Sequence, residues 1–448
     1  VFAVKNTEEL MKDAENLIKD WKKDHYAFGC NVLNTVGKFA GEFGRKTLIV
    51  GSSSSWAQKP MEDIVKSLGE NGLSYVKVAG ARPNTPREDV YRIALQISMY
   101  KPDVIVAFGG GSTLDAVKAS NILATFAPHE VEKFLNVSWS EACTIEPYFG
   151  TGIVSKMKEA TGRDLTPLVA VQAASSSGSH LTKYSNVTDP VAGQKKLIVD
   201  EAITPKRAVF DYTVTLTTSE SLTIDGGLDG LSHLWEVFMG ASGKPYFEKA
   251  KRLVEVGVRL IVRGFKNLKA DWMNLNARVG LGLGTDLGGY AIMIGGTSGP
   301  HLGSFSLVDV LTHGRACGIL NIYYTVFFSP VIQEQLKTLA LILKEENFIE
   351  EDASSFEGLN LGMAVAKGLT RLLTFLRVPT SLADAGASES HIVRMLNAAK
   401  DPALRMKLLN MPIPLNPEKG DVEKYMKPLL LAAFKGRIED VKIMEEYA

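Results

Sequence analysis

The sequence predicts an N-terminal α/β domain built on a doubly wound, mostly parallel sheet, followed by an all-α C-terminal domain. Three observations carry this. The first half alternates short β-branched runs with amphipathic helical stretches, whereas the second half is long, periodic and poor in strand signals. The chain's 448 residues also exceed what one hydrophobic core ordinarily organises. The change of character falls at residues 205–211, so the expected domains are 1–208 and 209–448.

In order, KTLIVG (46–51) reads as a buried strand and MEDIVKSLGENG as the helix after it, with a glycine stop. YVKVAG (75–80) is a second strand, and the turn residues of RPNTP lead into the helix REDVYRIALQISMY. DVIVAFGGGS (103–112) is a third strand running into a glycine-rich turn, with TLDAVKASNILATF as the next helix. Three such units in succession imply right-handed crossovers. From SESLTIDGGLDGLSHLWEVF onward helix follows helix, broken at GLGLGTDLGG and IGGTSGPHLGS.

Composition narrows the function. Hydrophobic residues at 45% and charged residues at 22% describe a folded globular chain. Lysine plus arginine equals aspartate plus glutamate, 50 each, so no global field draws in nucleic acid or an anionic membrane, and a small-molecule partner is expected. Cys30, Cys143 and Cys317 are too few and too scattered for a disulfide framework, which points to a reducing, cytoplasmic setting. The charged N-terminal stretch shows neither a secretory core nor a cleavage site, and its start at Val1 leaves room for an initiating segment before it. No run approaches the roughly 18 apolar residues of a membrane span.

Two features carry chemistry. Gly109, Gly110, Gly111 and Ser112 follow a strand and open a helix, where bare backbone and the helix dipole favour an anion. A tight turn needing positive φ accounts for the same glycines, and Asp115 on the first turn reads equally as a dipole-complementing residue. The spacing is not the G-x-G-x-x-G of the ordinary dinucleotide fold. Asp229 and His233, at i and i+4, share one helix face within about 6 Å. Alone they also fit a surface ion pair. A second cluster, HLGSFSLVDVLTHG, brings His301 and His313 on either side of a turn and helix start. Carboxylate plus imidazole suits Fe²⁺ or Zn²⁺. Trp235, Phe238, Phe305 and Tyr323 read as pocket lining or as core.

GGGSTLDAVKA, with FGCNVL, KTLIVG and RPNTP before it, resembles the iron-containing alcohol dehydrogenase family, whose members carry GGGSxxDxxK at this point. The resemblance covers essentially the whole chain and implies the Rossmann-like fold shared with dehydroquinate synthase. It implies a metal bound by one aspartate and three histidines: Asp229 and His233 match the DxxxH pattern, and His313 with Gly314 matches the family's HG pair. Many members have two histidines upstream of that pair, a ligand and a proton relay; here only His301 stands there, assigned as ligand with the relay role empty, a supporting or core histidine being its other reading.

VAVQAASSSGSHLTKYSNVTD resembles the family's PTTAGTGSE-like stretch, with His180 in place of glutamate and Ala174 in place of threonine. His180 reads as a buried structural histidine or a substitute proton carrier. The resemblance assigns cofactor contacts to Ser52, Asn84, Gly109, Gly110, Gly111, Ser112, Asp115, Ser175, Ser177 and Lys196, although an exposed hairpin lysine is a second reading of the last. Relatives that prefer NAD carry an aspartate at the place of Ser52, so NADP(H) is expected over NAD(H).

The implied function is a metal-dependent alcohol dehydrogenase or aldehyde reductase acting on a primary alcohol or aldehyde, assembled as a homodimer. A dehydroquinate synthase-like lyase or a glycerol-1-phosphate dehydrogenase-like enzyme would instead need a basic pocket, for which Lys244, Lys251 and Arg315 are candidates. A metal-free, nucleotide-binding degenerate member is the third alternative.

Overall fold

The structure, a computed structural model, describes residues 5–127 and 135–444. It divides into two compact units, Lys19–Ser219 and Val1–Ile18 with Glu220–Ala448.

Among its described residues the α/β unit holds nine strands: β1 Tyr26–Gly29, β2 Lys46–Gly51, β3 Ser74–Ala79, β4 Val104–Gly109, β5 Gly150–Thr151, β6 Leu168–Gln172, β7 Tyr184–Asp189, β8 Gln194–Val199 and β9 Arg207–Asp211. Six form one sheet in the order β1-β9-β6-β4-β2-β3, with every pairing parallel. A small second sheet, β5-β8-β7, contains the antiparallel β7–β8 hairpin. Ile49, Val106, Val171 and Val209 pack with Val36, Phe39, Ile64 and Leu68. The intervening Leu48, Ile105 and Ala170 are buried as well. Burial on both faces is why β2 and β4 read as continuous apolar runs, and each large aliphatic side chain contributes about 1.5–3 kcal/mol by leaving water.

From β2 the chain steps outward to β3, then returns to lay β4 on the other side of β2 and continues outward in that direction. The order therefore reverses between β2 and β4. A doubly wound sheet opens a ligand crevice outside the carboxyl ends of its strands at such a point. There the ends of β2 and β4 carry Ser52 and the Gly109 turn.

The α/β unit extends past the expected break at 208. Arg207–Asp211 is a strand hydrogen-bonded between β6 and β1, so the unit runs to Ser219. Only Ala208, Val209 and Phe210 of this strand are apolar, between Arg207 and Asp211, too short a run to announce itself as a strand. The first part of the helix Thr7–Lys22 belongs with the helical unit, where Asp13 pairs with Arg252 at 2.8 Å.

Among its described residues the helical unit contains no strand. Its principal helices are Glu220–Met239, Phe247–Ala270, Leu275–Ile294, His313–Phe327 and Gly358–Phe375. The first is buried from Gly226 through Met239, all round its circumference, so the others pack about it. Among the described residues no helix is long and apolar enough to cross a membrane.

Candidate active site

Asp229 and His233 lie one turn apart on the Glu220–Met239 helix and are each only 4% exposed, so the surface ion pair is not what this structure forms. His301 sits in the short helix Gly299–Ser304, and His313 is the first residue of His313–Phe327. These segments converge. Asp229 Oδ1 lies 3.3 Å from His233 Nε2, 3.3 Å from His301 Nε2 and 3.4 Å from His313 Nε2. The His301 ring is 4.9 Å from that of His233 and 5.0 Å from that of His313.

The hydrogen bonds behind the rings decide which nitrogen faces inward. Glu236, fully buried on the same helix as Asp229, takes the Nδ1–H of His301 at 2.7 Å and the backbone N–H of Ser298 at 2.8 Å. The Ser304 hydroxyl donates to His301 O at 2.6 Å, so its lone pair is left to accept from His313 Nδ1 at 3.0 Å. With both Nδ1 atoms committed, His301 and His313 turn Nε2 toward Asp229 Oδ1, so that in the neutral rings a lone pair points at it. Asp229 Oδ1 and His301 Nε2 are buried and make no hydrogen bond.

Electron pairs meeting in a dry pocket are costly unless a cation lies between them. Separations of 3.3–3.4 Å from Asp229 Oδ1 are within the span of two atoms that bond one divalent ion at about 2.0–2.2 Å each. The donor set and its spacing therefore fit such an ion.

The local field agrees. Burial alone would raise the Asp229 carboxyl, but His233, His313 and His301 hold it far below the usual carboxylate range. Burial pushes His233 down to about 4, which keeps it neutral. His301 is drawn well above its ordinary value in spite of burial, by Cys317, Glu236 and Asp229. Positive charge is favoured at this point.

Gly314 explains the HG pair. A Cβ there would fall 1.8 Å from Asp225 O and 2.9 Å from Asp229 N. Only a glycine lets the first turn of His313–Phe327 rest on the backbone that carries Asp229. Asp225 fastens that turn by accepting the N–H of Arg315 at 3.1 Å.

In the α/β unit the Gly109 turn ends β4 and opens the helix Gly111–Phe126. Gly109, Gly110 and Gly111 are not among the positive-φ residues, so the positive-φ reading fails. Close approach is the reason instead: a Cβ on Gly111 would meet Ser177 Oγ at 2.7 Å. Asn84, at φ +66, donates its N–H to Ser112 Oγ at 3.1 Å, tying the RPNTP turn to the glycine turn. Asp115 is committed to its own unit, accepting from Ser179 Oγ at 2.6 Å and Asn186 N at 3.0 Å. Ser175 is buried with no hydrogen bond to its Oγ, and Ser52 accepts the N–H of Ser54 at 3.1 Å. Lys196, on β8, donates to Glu146 at 3.2 Å and is only part-exposed.

Other candidates resolve into structure. His180 is buried, 3.1 Å from Tyr26 Oη and edge-on to Phe210 at 5.5 Å, as a core histidine. Trp235 bonds Thr325 and Tyr323 bonds Thr380 O, while Phe238 is fully buried; Phe305 alone of the four stacks on a site ring, His313, at 5.9 Å. Lys251 pairs with Glu334, Arg315 bonds Ser221 O and Thr312, and Lys244 is exposed. Sequence reasoning missed Glu236, Ser304 and Cys317. Glu236 was signalled by its place seven residues after Asp229, and Cys317 by its place four after His313.

Residues 24–212 match the family described as iron-containing alcohol dehydrogenase, and residues 223–427 match the C-terminal domain of the Fe-containing alcohol dehydrogenase family. The chain belongs to the iron-containing alcohol dehydrogenase family. It is 24% identical to the NAD-dependent methanol dehydrogenase of Bacillus methanolicus over 81% of this chain and 88% of that one. With the 1,3-propanediol dehydrogenase of Citrobacter freundii the identity is 25%, over 91% and 96%. The fold matches the NADH-dependent butanol dehydrogenase A of Thermotoga maritima with a TM-score of 0.73 at 21% identity, over 92% of this chain and 96% of that one. Family membership supports a metal ion and a nicotinamide cofactor.

Proposed function

We infer that this alcohol dehydrogenase holds a divalent metal, Fe²⁺ or Zn²⁺, through Asp229, His233, His301 and His313, and interconverts a small primary alcohol and its aldehyde with NADP(H) favoured over NAD(H). The carrying observation is the convergence of three imidazole Nε2 atoms on one buried carboxylate oxygen at 3.3–3.4 Å. When bound, the ion would polarise the substrate oxygen and the nicotinamide would exchange a hydride with the carbinol carbon.

The chain's own residues prepare for this. Asp229 supplies the anion that offsets the ion's charge, and burial of His233 keeps its lone pair available. Glu236 and Ser304 fix the rings of His301 and His313, so the site is ordered before anything binds. At the β2/β4 switch point, the bare backbone of the Gly109 turn and the helix N-terminus behind it suit a diphosphate. The run Ser52 to Ser55 offers hydroxyl and backbone donors and no carboxylate, which suits a ribose 2′-phosphate. Ser112, Asn84, Ser175, Ser177 and Lys196 complete the proposed cofactor set, with Asp115 bracing the segment that carries them.

A cytoplasmic location accords with three unpaired cysteines, and the open edge of β3, where Tyr75 is 39% and Val76 41% exposed, accords with a homodimer. Of the residues a basic substrate pocket would use, Lys251 is paired with Glu334 and Arg315 is bonded to Ser221 O and Thr312, which does not favour the lyase or glycerol-1-phosphate readings.

Protein purified without oxygen should contain one metal ion per chain and should oxidise short alcohols with a rise in reduced-nicotinamide absorbance, with kcat/KM higher for NADP than for NAD. Asp229→Ala should abolish metal retention and leave dinucleotide binding intact. No metal and no turnover with any alcohol would defeat the reading; a higher kcat/KM with NAD would defeat the cofactor preference alone.

A further inference from the structure

Cys317 lies one helical turn beyond His313 and therefore on the same face of the His313–Phe327 helix. Asp229 and His233 form the matching i, i+4 pair on the Glu220–Met239 helix, which packs against it. The Cys317 Sγ and one donor atom each of Asp229, His301 and His313 all lie within 4.8 Å of one another; His233 is outside that group and joins it through Asp229 Oδ1, 3.3 Å from its Nε2. The thiol is fully buried. Two other members of this group, Asp229 Oδ1 and His301 Nε2, are buried polar atoms with no hydrogen-bond partner, so the space that the sulfur borders is one where donors are waiting for a cation.

We propose that Cys317 is a fifth protein ligand of the metal centre, its Sγ joining the oxygen of Asp229 and the three imidazole nitrogens. This rests on the four-residue centre inferred above and deepens it. Metal–sulfur and metal–nitrogen bonds of about 2.3 and 2.1 Å put opposite donors about 4.4 Å apart, so a ceiling of 4.8 Å lies within a few tenths of an ångström of a bonded arrangement. As the metal–sulfur bond forms, the thiol proton leaves to solvent and the ligand is the thiolate. Five protein donors suit a six-coordinate ion such as Fe²⁺, which keeps one position open, better than Zn²⁺, whose catalytic sites ordinarily hold three protein ligands. A soft donor also disfavours Mg²⁺ and Mn²⁺.

Cobalt(II) distinguishes the cases without an activity assay. The full chain is stripped with a chelator, loaded with Co²⁺ under anaerobic conditions, and its spectrum recorded beside Cys317→Ser, Cys317→Ala and a Cys30→Ser, Cys143→Ser double variant, each checked for folding by circular dichroism. The wild-type and double-variant proteins should bind one Co²⁺ per chain, with visible ligand-field bands and a near-ultraviolet sulfur-to-cobalt charge-transfer band. Both Cys317 variants should keep the ligand-field bands and lose the charge-transfer band. One bound Co²⁺ without that band, or a band that survives in the Cys317 variants, overturns the proposal and leaves the four-residue centre standing. Failure of the wild-type protein to bind Co²⁺ would overturn both.

Discussion

Gly314→Ala perturbs the candidate centre without touching a donor. The new Cβ would sit 1.8 Å from Asp225 O, and the two helix backbones must part by about 1.2 Å merely to reach 3.0 Å. Both nearby atoms, Asp225 O and Asp229 N, belong to the backbone, so no side chain can swing aside. Overpacking of this kind costs about 1–3 kcal/mol of stability, which a chain with so many buried apolar residues survives. Metal bonds tolerate displacements of only about 0.2 Å, and moving His313 by several times that removes it as a ligand. The expected result is a folded protein whose metal affinity falls at least about 100-fold, beyond the 10–100-fold that follows loss of an outer hydrogen bond. Chelator competition followed by elemental analysis reads this out, with circular dichroism as the fold control. Unchanged metal affinity in Gly314→Ala would refute the claim that this contact places His313.

Glu236→Gln should keep the fold but weaken metal binding by about 10–100-fold, because the amide no longer supplies the anionic acceptor for His301 Nδ1–H; equal chelator titrations would count against it. Lys118, fully buried, donates to Ser179 O, Thr182 O and Tyr184 O at 2.7–2.8 Å. Lys118→Met strands these carbonyls and should cost about 3–5 kcal/mol in urea unfolding; a loss under about 1 kcal/mol contradicts it. Burial pushes the Lys407 ammonium down from 10.5 to about 8. Between those values the unfolded chain holds a proton that the folded chain has given up. Stability should therefore rise with pH across that window, by an amount on the order of 3 kcal/mol from this residue, and be lost as pH falls through about 8. Subtracting the Lys407→Met profile from the wild-type profile isolates it; parallel profiles would refute it.

The parallel sheet was legible chiefly because its central strands are buried on both faces and so announce themselves as apolar runs, as in VIVAF of β4. β9 escaped because its apolar run is only Ala208, Val209 and Phe210, between Arg207 and Asp211, and that moved the boundary. Asp229 and His233 were readable because both belong to one helix, where spacing alone fixes the face. His301 and His313 sit on separate elements, and nothing in their spacing of twelve residues tells that Ser304 and Glu236 turn the two rings toward one point. Gly314 could be matched to a motif, but its reason lies in a contact with Asp225, far back in the chain. Cys317 passed unnoticed because cysteines were counted across the whole sequence, where three look scattered. Helical spacing from His313 was the signal available.

The most direct test is a crystal structure of anaerobically prepared protein with anomalous diffraction recorded on both sides of the metal's absorption edge. A single strong peak is expected about 2.0–2.3 Å from Asp229 Oδ1 and from the Nε2 atoms of His233, His301 and His313. A peak bonded elsewhere, or fully metallated protein with none at these atoms, would contradict the account.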